Sequence, residues 1–149
     1  MGWQIVSSGK RLGLWSIAAR DENAGLAVGD AGTIPRTTDG SDRWKALRAG
    51  EGGSFLTPLD RINKAMNVVH QRTGGGFVLF GVTVTGPDVC WAVGTGSLIL
   101  KTEDSGANWK GQESPILLDL VSVAGVSREA AWACGARGTV IRTVDGGDA

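Results

Sequence analysis

Three stretches of the chain repeat one order of apolar, small and polar residues. Leu26-Ala27-Val28-Gly29, Trp91-Ala92-Val93-Gly94 and Trp132-Ala133-Cys134-Gly135 each run from a large apolar residue through Ala to Gly. Ten residues after that Gly stands an Asp in every copy: Asp39, Asp104 and Asp145. A basic residue precedes each Asp by three positions (Arg36, Lys101, Arg142), and Thr37, Thr102 and Thr143 follow it. Upstream lies an apolar-small-apolar triplet: Trp15-Ser16-Ile17, Phe80-Gly81-Val82 and Val121-Ser122-Val123. A register kept three times marks an internal repeat.

Each copy predicts a four-stranded meander. Strand one covers Leu14–Ala18, Leu79–Val84 or Leu120–Ala124, and strand two is the segment ending in Gly. Strand three runs from Thr33, Leu98 or Thr139 toward its Asp, and strand four follows Trp44 or Trp109. Short β-rich runs punctuated by Gly favour a sheet blade over a helical repeat. The 41-residue period from Trp91 to Trp132 suits four strands per blade. The expected fold is therefore all-β: propeller-type blades at 14–49, 77–113 and 114–149, with an insertion at 50–76.

The repeat also phases both ends. Trp109 lies thirteen residues before Ser122, and Trp3 lies thirteen before Ser16. Residues 1–7 thus read as the fourth strand of a preceding or closing blade. Trp44 and Trp109 each sit five after their Asp, which would put the partner of Asp145 at position 150. This is the phasing of a ring closed by its own terminal strand. A ring takes about four to eight blades, so these three leave it incomplete and leave sheet edges open. Three arrangements follow: a homo-oligomer, a subunit completed by other chains, or a fragment of a larger propeller.

The first and second copies lie 65 residues apart, Leu26 to Trp91, and the excess falls between Trp44 and Leu79. Gly50, Gly52 and Gly53 open this insertion and Gly74, Gly75 and Gly76 close it. Within it, Thr57-Pro58-Leu59-Asp60 has the form of a helix start: a capping hydroxyl, Pro in the first turn and an acid three later. Ile62, Met66 and Val69 recur at helical spacing, which predicts a short amphipathic helix near 58–72. Two roles stay open for it: cover for its own blade, or a partner-binding face carrying Ile62 and Met66.

Composition narrows the functions. Lys and Arg total 15 and Asp and Glu total 15, so no net field steers the chain to nucleic acid or an anionic surface. No apolar run reaches the roughly 18 residues a membrane span needs. The opening Met-Gly-Trp-Gln-Ile-Val is too short and polar for a signal peptide. The 24 Gly fit many tight turns.

Thr102-Glu103-Asp104-Ser105-Gly106-Ala107-Asn108-Trp109 resembles the Asp-box, also called the bacterial neuraminidase repeat. Its Asp accepts backbone N–H groups across a turn, Gly106 supplies positive φ, and Trp109 tucks beneath. The first copy ends in Asp39 and Trp44 with Ser41 in the usual Gly position, and the third has Asp145 and Gly147. These box residues read as structural.

The strands, the Gly-Thr-(Ile/Val)-x-Arg-Thr run and the box together resemble the photosystem II stability/assembly factor family, over about 90 residues. The chain departs from that family in its three blades, its insertion and Pro35 within a central strand. The resemblance implies a non-catalytic protein-binding scaffold, with protein subunits of a larger complex as partners and the thylakoid lumen as compartment. A secreted or periplasmic protein is the alternative compartment. By the same resemblance Arg36, Lys101 and Arg142 hold the family's basic position, once per blade. They form either an arc suited to an acidic partner or solvated charges pairing locally with the box turn.

Other chemistry lacks its residues. Sialidases also carry Asp-boxes but use a Tyr nucleophile, and this chain has no Tyr. His70 is the sole histidine, and Cys90 and Cys134 form no metal motif, so no metal or cofactor is expected. The two cysteines occupy unlike repeat positions on opposite sheet faces, which predicts two buried thiols and no disulfide. Gly94-Thr95-Gly96 and Gly74-Gly75-Gly76 lack the Lys-Ser/Thr of a phosphate loop. A glycan-binding module remains a second reading, although five of the six Trp fall at structural repeat positions.

Overall fold

The computed structural model describes residues 2–4, 13–40, 44–48, 78–107 and 109–147. The expected insertion helix near 58–72, with Ile62, Met66 and His70, lies outside them. Residues 2–4 carry no strand, and the rest of the predicted opening strand is also outside the described set.

Three antiparallel sheets follow one another along the chain. The first joins β1 (Leu14–Ala19), β2 (Gly25–Gly29), β3 (Thr33–Thr37) and β4 (Lys45–Arg48) in chain order. The second repeats the order with β5 (Leu79–Thr85), β6 (Val89–Gly94), β7 (Ile99–Thr102) and β8 (Lys110–Gln112). In the third, β9 (Leu120–Gly125), β10 (Ala131–Gly135) and β11 (Val140–Thr143) form three described strands. This is the all-β, blade-like architecture, and the described sheets form an arc, not a closed ring.

Local sequence explains each blade. The second and third strands meet through two-residue turns with both residues at positive φ: Ala31-Gly32, Gly96-Ser97 and Arg137-Gly138. That left-handed pair matches the twist of hairpin strands. Gly ends each second strand because a Cβ there would lie 2.0 Å from the Gly13 carbonyl oxygen, 2.1 Å from Val78 or 1.9 Å from Asp119. Beside these glycines the ladder slips by one residue, so Trp15, Phe80 and Val121 are left unpaired on the first strands. Pro35 has a visible effect as well. β2 and β3 pair only at Gly25/Thr37 and Leu26/Arg36, whereas β6 and β7 pair at four positions. Without an N–H, Pro35 ends the ladder on that side.

Neighbouring blades pack face to face. Leu26, Val28 and Ile34 of the first blade join Val82, Cys90, Ala92, Leu100 and Trp109 of the second in one buried cluster. Trp91 and Val93 then meet Val123, Ala131 and Ala133 of the third. The first strands approach closely: a Cβ on Gly81 would stand 3.0 Å from the Ser122 Cα. Ser16 Oγ accepts the Val82 N–H at 3.3 Å, and Thr83 Oγ1 accepts the Gly125 N–H at 3.2 Å. β1, β5 and β9 are therefore the inner strands of the arc.

Candidate functional site

The box turns are built around a threonine hydroxyl. Thr102 Oγ1 donates to Asp104 Oδ1 at 2.7 Å and accepts the N–H groups of Asp104 (3.3 Å) and Gly106 (3.0 Å). In the third blade Thr143 Oγ1 donates to Asp145 Oδ1 at 2.7 Å and accepts the Gly147 N–H at 2.9 Å. In the first, Thr37 Oγ1 donates to Asp39 Oδ1 at 3.1 Å. Sequence spacing alone gives these threonines no role, although each stands two residues before its Asp. Gly106 and Gly147 adopt φ of +90° and +79°.

A backbone bond ties each turn to the first hairpin of its own blade. The N–H following each Asp reaches a hairpin carbonyl: Gly40 to Asn23 at 2.7 Å, Ser105 to Asp88 at 2.9 Å and Gly146 to Glu129 at 2.8 Å. Beneath the middle turn, Trp109 is 1% exposed and its Nε1–H donates to the Gly106 carbonyl at 3.1 Å. Burying an indole of roughly 200 Å² at about 25 cal/mol per Å² gives roughly 5 kcal/mol as an upper value. The hydrogen bond adds about 1 kcal/mol. Burial is thus the main anchor of that strand. Trp44 in the first blade is half-buried.

The basic positions lie across the seams. Arg36 Nη1 donates to the Ser105 carbonyl in the second blade's box turn at 3.1 Å. Lys101 Nζ reaches the Gly146 carbonyl in the third blade's turn at 3.5 Å. Lys101 is 4% exposed, pairs with Glu103 at 3.2 Å and lies 4.8 Å over the Trp91 ring. These two cations therefore do not make the solvent-facing arc the sequence suggested: the next blade's turn claims one and buries the other. Lys101 also pairs with Glu103 of its own box turn, the local pairing the sequence left open. Arg142 differs, remaining exposed with its guanidinium 5.4 Å over Trp132.

Electrostatics follow the same contacts. Burial pushes the Glu103 carboxyl up, but the Lys101 hydrogen bond and the charges of Lys101, Arg128 and Lys110 outweigh it, leaving it below its ordinary range. The Thr143 hydroxyl and Gly147 N–H hold Asp145 below its usual value. Burial raises the Cys90 thiol to about 11. Cys134 is exposed, correcting the expectation of two buried thiols, because its side of β10 is the open face of the third blade. Both cysteines are free.

Among the described residues, two of the uncovered surfaces carry an exposed Trp. On the inner strands, at the end away from the box turns, Trp15 is 60% exposed, Phe80 is half-buried and Val121 is 49% exposed. Trp15 and Phe80 meet edge to face with centroids 6.1 Å apart, and Asp30 Oδ1 holds the Trp15 Nε1–H at 2.7 Å. The second surface is the open face of the third blade, where Trp132, Val140 and Arg142 stand exposed. No group of three or more His, Cys, Asp or Glu able to hold a metal occurs among the described residues. No described helix is long and apolar enough to cross a membrane.

No protein-family model matches the chain, and no curated protein matches it. Solved structures do. YCF48 bound to D1 peptide superimposes with a TM-score of 0.72 at 19% identity, covering 95% of this chain and 39% of that one. YCF48 from Cyanidioschyzon merolae gives 0.71 at 22% identity, covering 100% of this chain and 42% of that one. The chain thus spans about two fifths of the structures it matches. Its fold is that of part of the YCF48 propeller.

Proposed function

We propose that this chain is a non-catalytic protein-binding scaffold, an assembly or stability factor serving a photosynthetic membrane complex in the thylakoid lumen. The observation that carries this reading is the likeness to a YCF48 structure holding a D1 peptide. A surface suited to such a ligand supports it: the row Trp15, Phe80 and Val121 offers rigid aromatic area beside the carboxylate of Asp30. Exposed Trp in a pre-formed row is the usual anchor of a peptide interface. We assign assembly with other subunits or other copies to the open face carrying Arg142, and a further partner contact to Ile62 and Met66 of the insertion.

Calorimetric titration with the D1 peptide tests this. Wild type binds, and Trp15→Ala, exposed enough to leave the fold intact, weakens binding at least about tenfold. Failure of wild type to bind, or equal affinity in Trp15→Ala, overturns the reading.

A further inference from the structure

The two seams inside the chain balance charge differently. In the second seam Glu103 takes Lys101 of its own blade at 3.2 Å and Arg128 of the next at 3.1 Å. Lys101 there lies 4.8 Å over the buried Trp91 ring. The first seam carries other residues at these repeat positions: Arg36 for Lys101, Thr38 for Glu103, Leu26 for Trp91 and Pro87 for Arg128. The cation of the earlier blade is kept, whereas the carboxylate and the large ring are replaced by smaller uncharged groups.

A cleft of about 40 Å³ opens at this place, lined among others by Leu26, Arg36, Thr38, Val84, Cys90 and Ser105. A second cation reaches it from Arg20, where the middle blade has Thr85. Arg20 Nη1 donates to the Pro87 carbonyl at 3.0 Å and to Ser105 Oγ at 3.4 Å. Arg36 Nη1 donates to the Ser105 carbonyl at 3.1 Å. Both guanidiniums are thereby gathered around one residue of the second blade.

Their counter-charges lie to one side. Asp21 pairs with Arg20 Nε at 3.2 Å, and Asp88 accepts the Ser105 hydroxyl at 3.0 Å. No carboxylate forms an ion pair with the half-buried Arg36 among the described residues. Cys90, its thiol raised to about 11 by burial, brings no negative charge at neutral pH. A partly desolvated guanidinium gains most from a carboxylate, which it binds through charge-assisted hydrogen bonds. The rest of the lining, Leu26, Val84 and Cys90, is apolar and suits methylene groups better than a fully hydrated ion.

We infer that this cleft binds a carboxylate on a short aliphatic stem, seated between Arg20 and Arg36 as Glu103 is seated between Lys101 and Arg128. A free short-chain acid and the glutamate side chain of a peptide carry the same group. The cleft lies at the box-turn end of the seam, away from Trp15, and the inference does not depend on the peptide reading above.

Magnetic resonance titration of the full chain, read at the Ser105 amide and the arginine Nε–H groups, tests it. The probes are butyrate, an end-blocked peptide with one central glutamate, the same peptide with glutamine, and inorganic phosphate. Butyrate and the glutamate peptide give saturable shifts, whereas the glutamine peptide and phosphate do not. Tighter binding of the glutamate peptide than of butyrate assigns the site to a partner's side chain, and equal or weaker binding assigns it to a free acid. Arg20→Gln, at an exposed position, weakens butyrate binding at least about fivefold. Thr38→Glu, also exposed, supplies Arg36 with the partner that Lys101 already has; it abolishes butyrate binding without lowering the melting temperature. No saturable shift in wild type, equal shifts from the glutamine peptide or phosphate, or unchanged butyrate binding in either variant overturns the inference.

Discussion

The Lys101 ammonium reaches the Gly146 carbonyl at 3.5 Å across the seam between the second and third blades. It does so while held by Glu103 at 3.2 Å and stacked on Trp91. A cation buried this deeply is stabilising only with its partners in place. Lys101→Ala removes the packing on Trp91 and the Lys101 ion pair with Glu103, leaving the Arg128 pair at 3.1 Å. The expected loss is about 1–3 kcal/mol in urea denaturation. The exposed Lys110→Ala changes stability by less than about 0.5 kcal/mol.

Thr102 is the hub of its box turn and is 1% exposed. Thr102→Val keeps the shape but strands the Gly106 N–H that the hydroxyl accepts at 3.0 Å. The expected cost is about 2–3 kcal/mol. Thr143→Val, in a more open turn, costs less in the same denaturant series.

Gly94→Ala would set a Cβ 2.1 Å from the Val78 carbonyl oxygen, against backbone that cannot yield cheaply. The expected loss is about 3 kcal/mol. Gly86→Ala has open space but φ of +67°, so it costs about 1 kcal/mol. Paired melting curves of the two variants separate close approach from backbone strain.

Asp145 and Glu103 both titrate below their unfolded values of 3.8 and 4.5 in the folded chain. A depressed acid stabilises fully above its unfolded value, and that stability is lost as pH falls through the folded one. Urea midpoints should therefore hold steady above about pH 5 and fall below it. Thr143→Val, which removes the largest cause of the Asp145 shift, flattens the decline.

Much of this architecture was legible in the residues. The Asp, Gly and Trp of the box and the Gly ending each second strand occur at fixed intervals, because each repeats one backbone conformation. The destinations of long side chains were not legible. Arg36 and Lys101 repeat as faithfully as the box, but sequence spacing does not say which blade a flexible cation reaches. The threonine hydroxyl carries no distinct signal because Thr is also an ordinary strand residue. Cys134 departs from the expected burial because its repeat position is buried only where another blade packs on it, as for Val93. Ile62 and Met66 fall in the insertion, outside the described residues.

One locked turn is built three times along the chain. Amide hydrogen exchange at Gly40, Ser105 and Gly146 addresses it directly, since their N–H groups bond the carbonyls of Asn23, Asp88 and Glu129. Slow exchange is expected at all three positions. Exchange at the rate of an unstructured peptide at any one of them would contradict it.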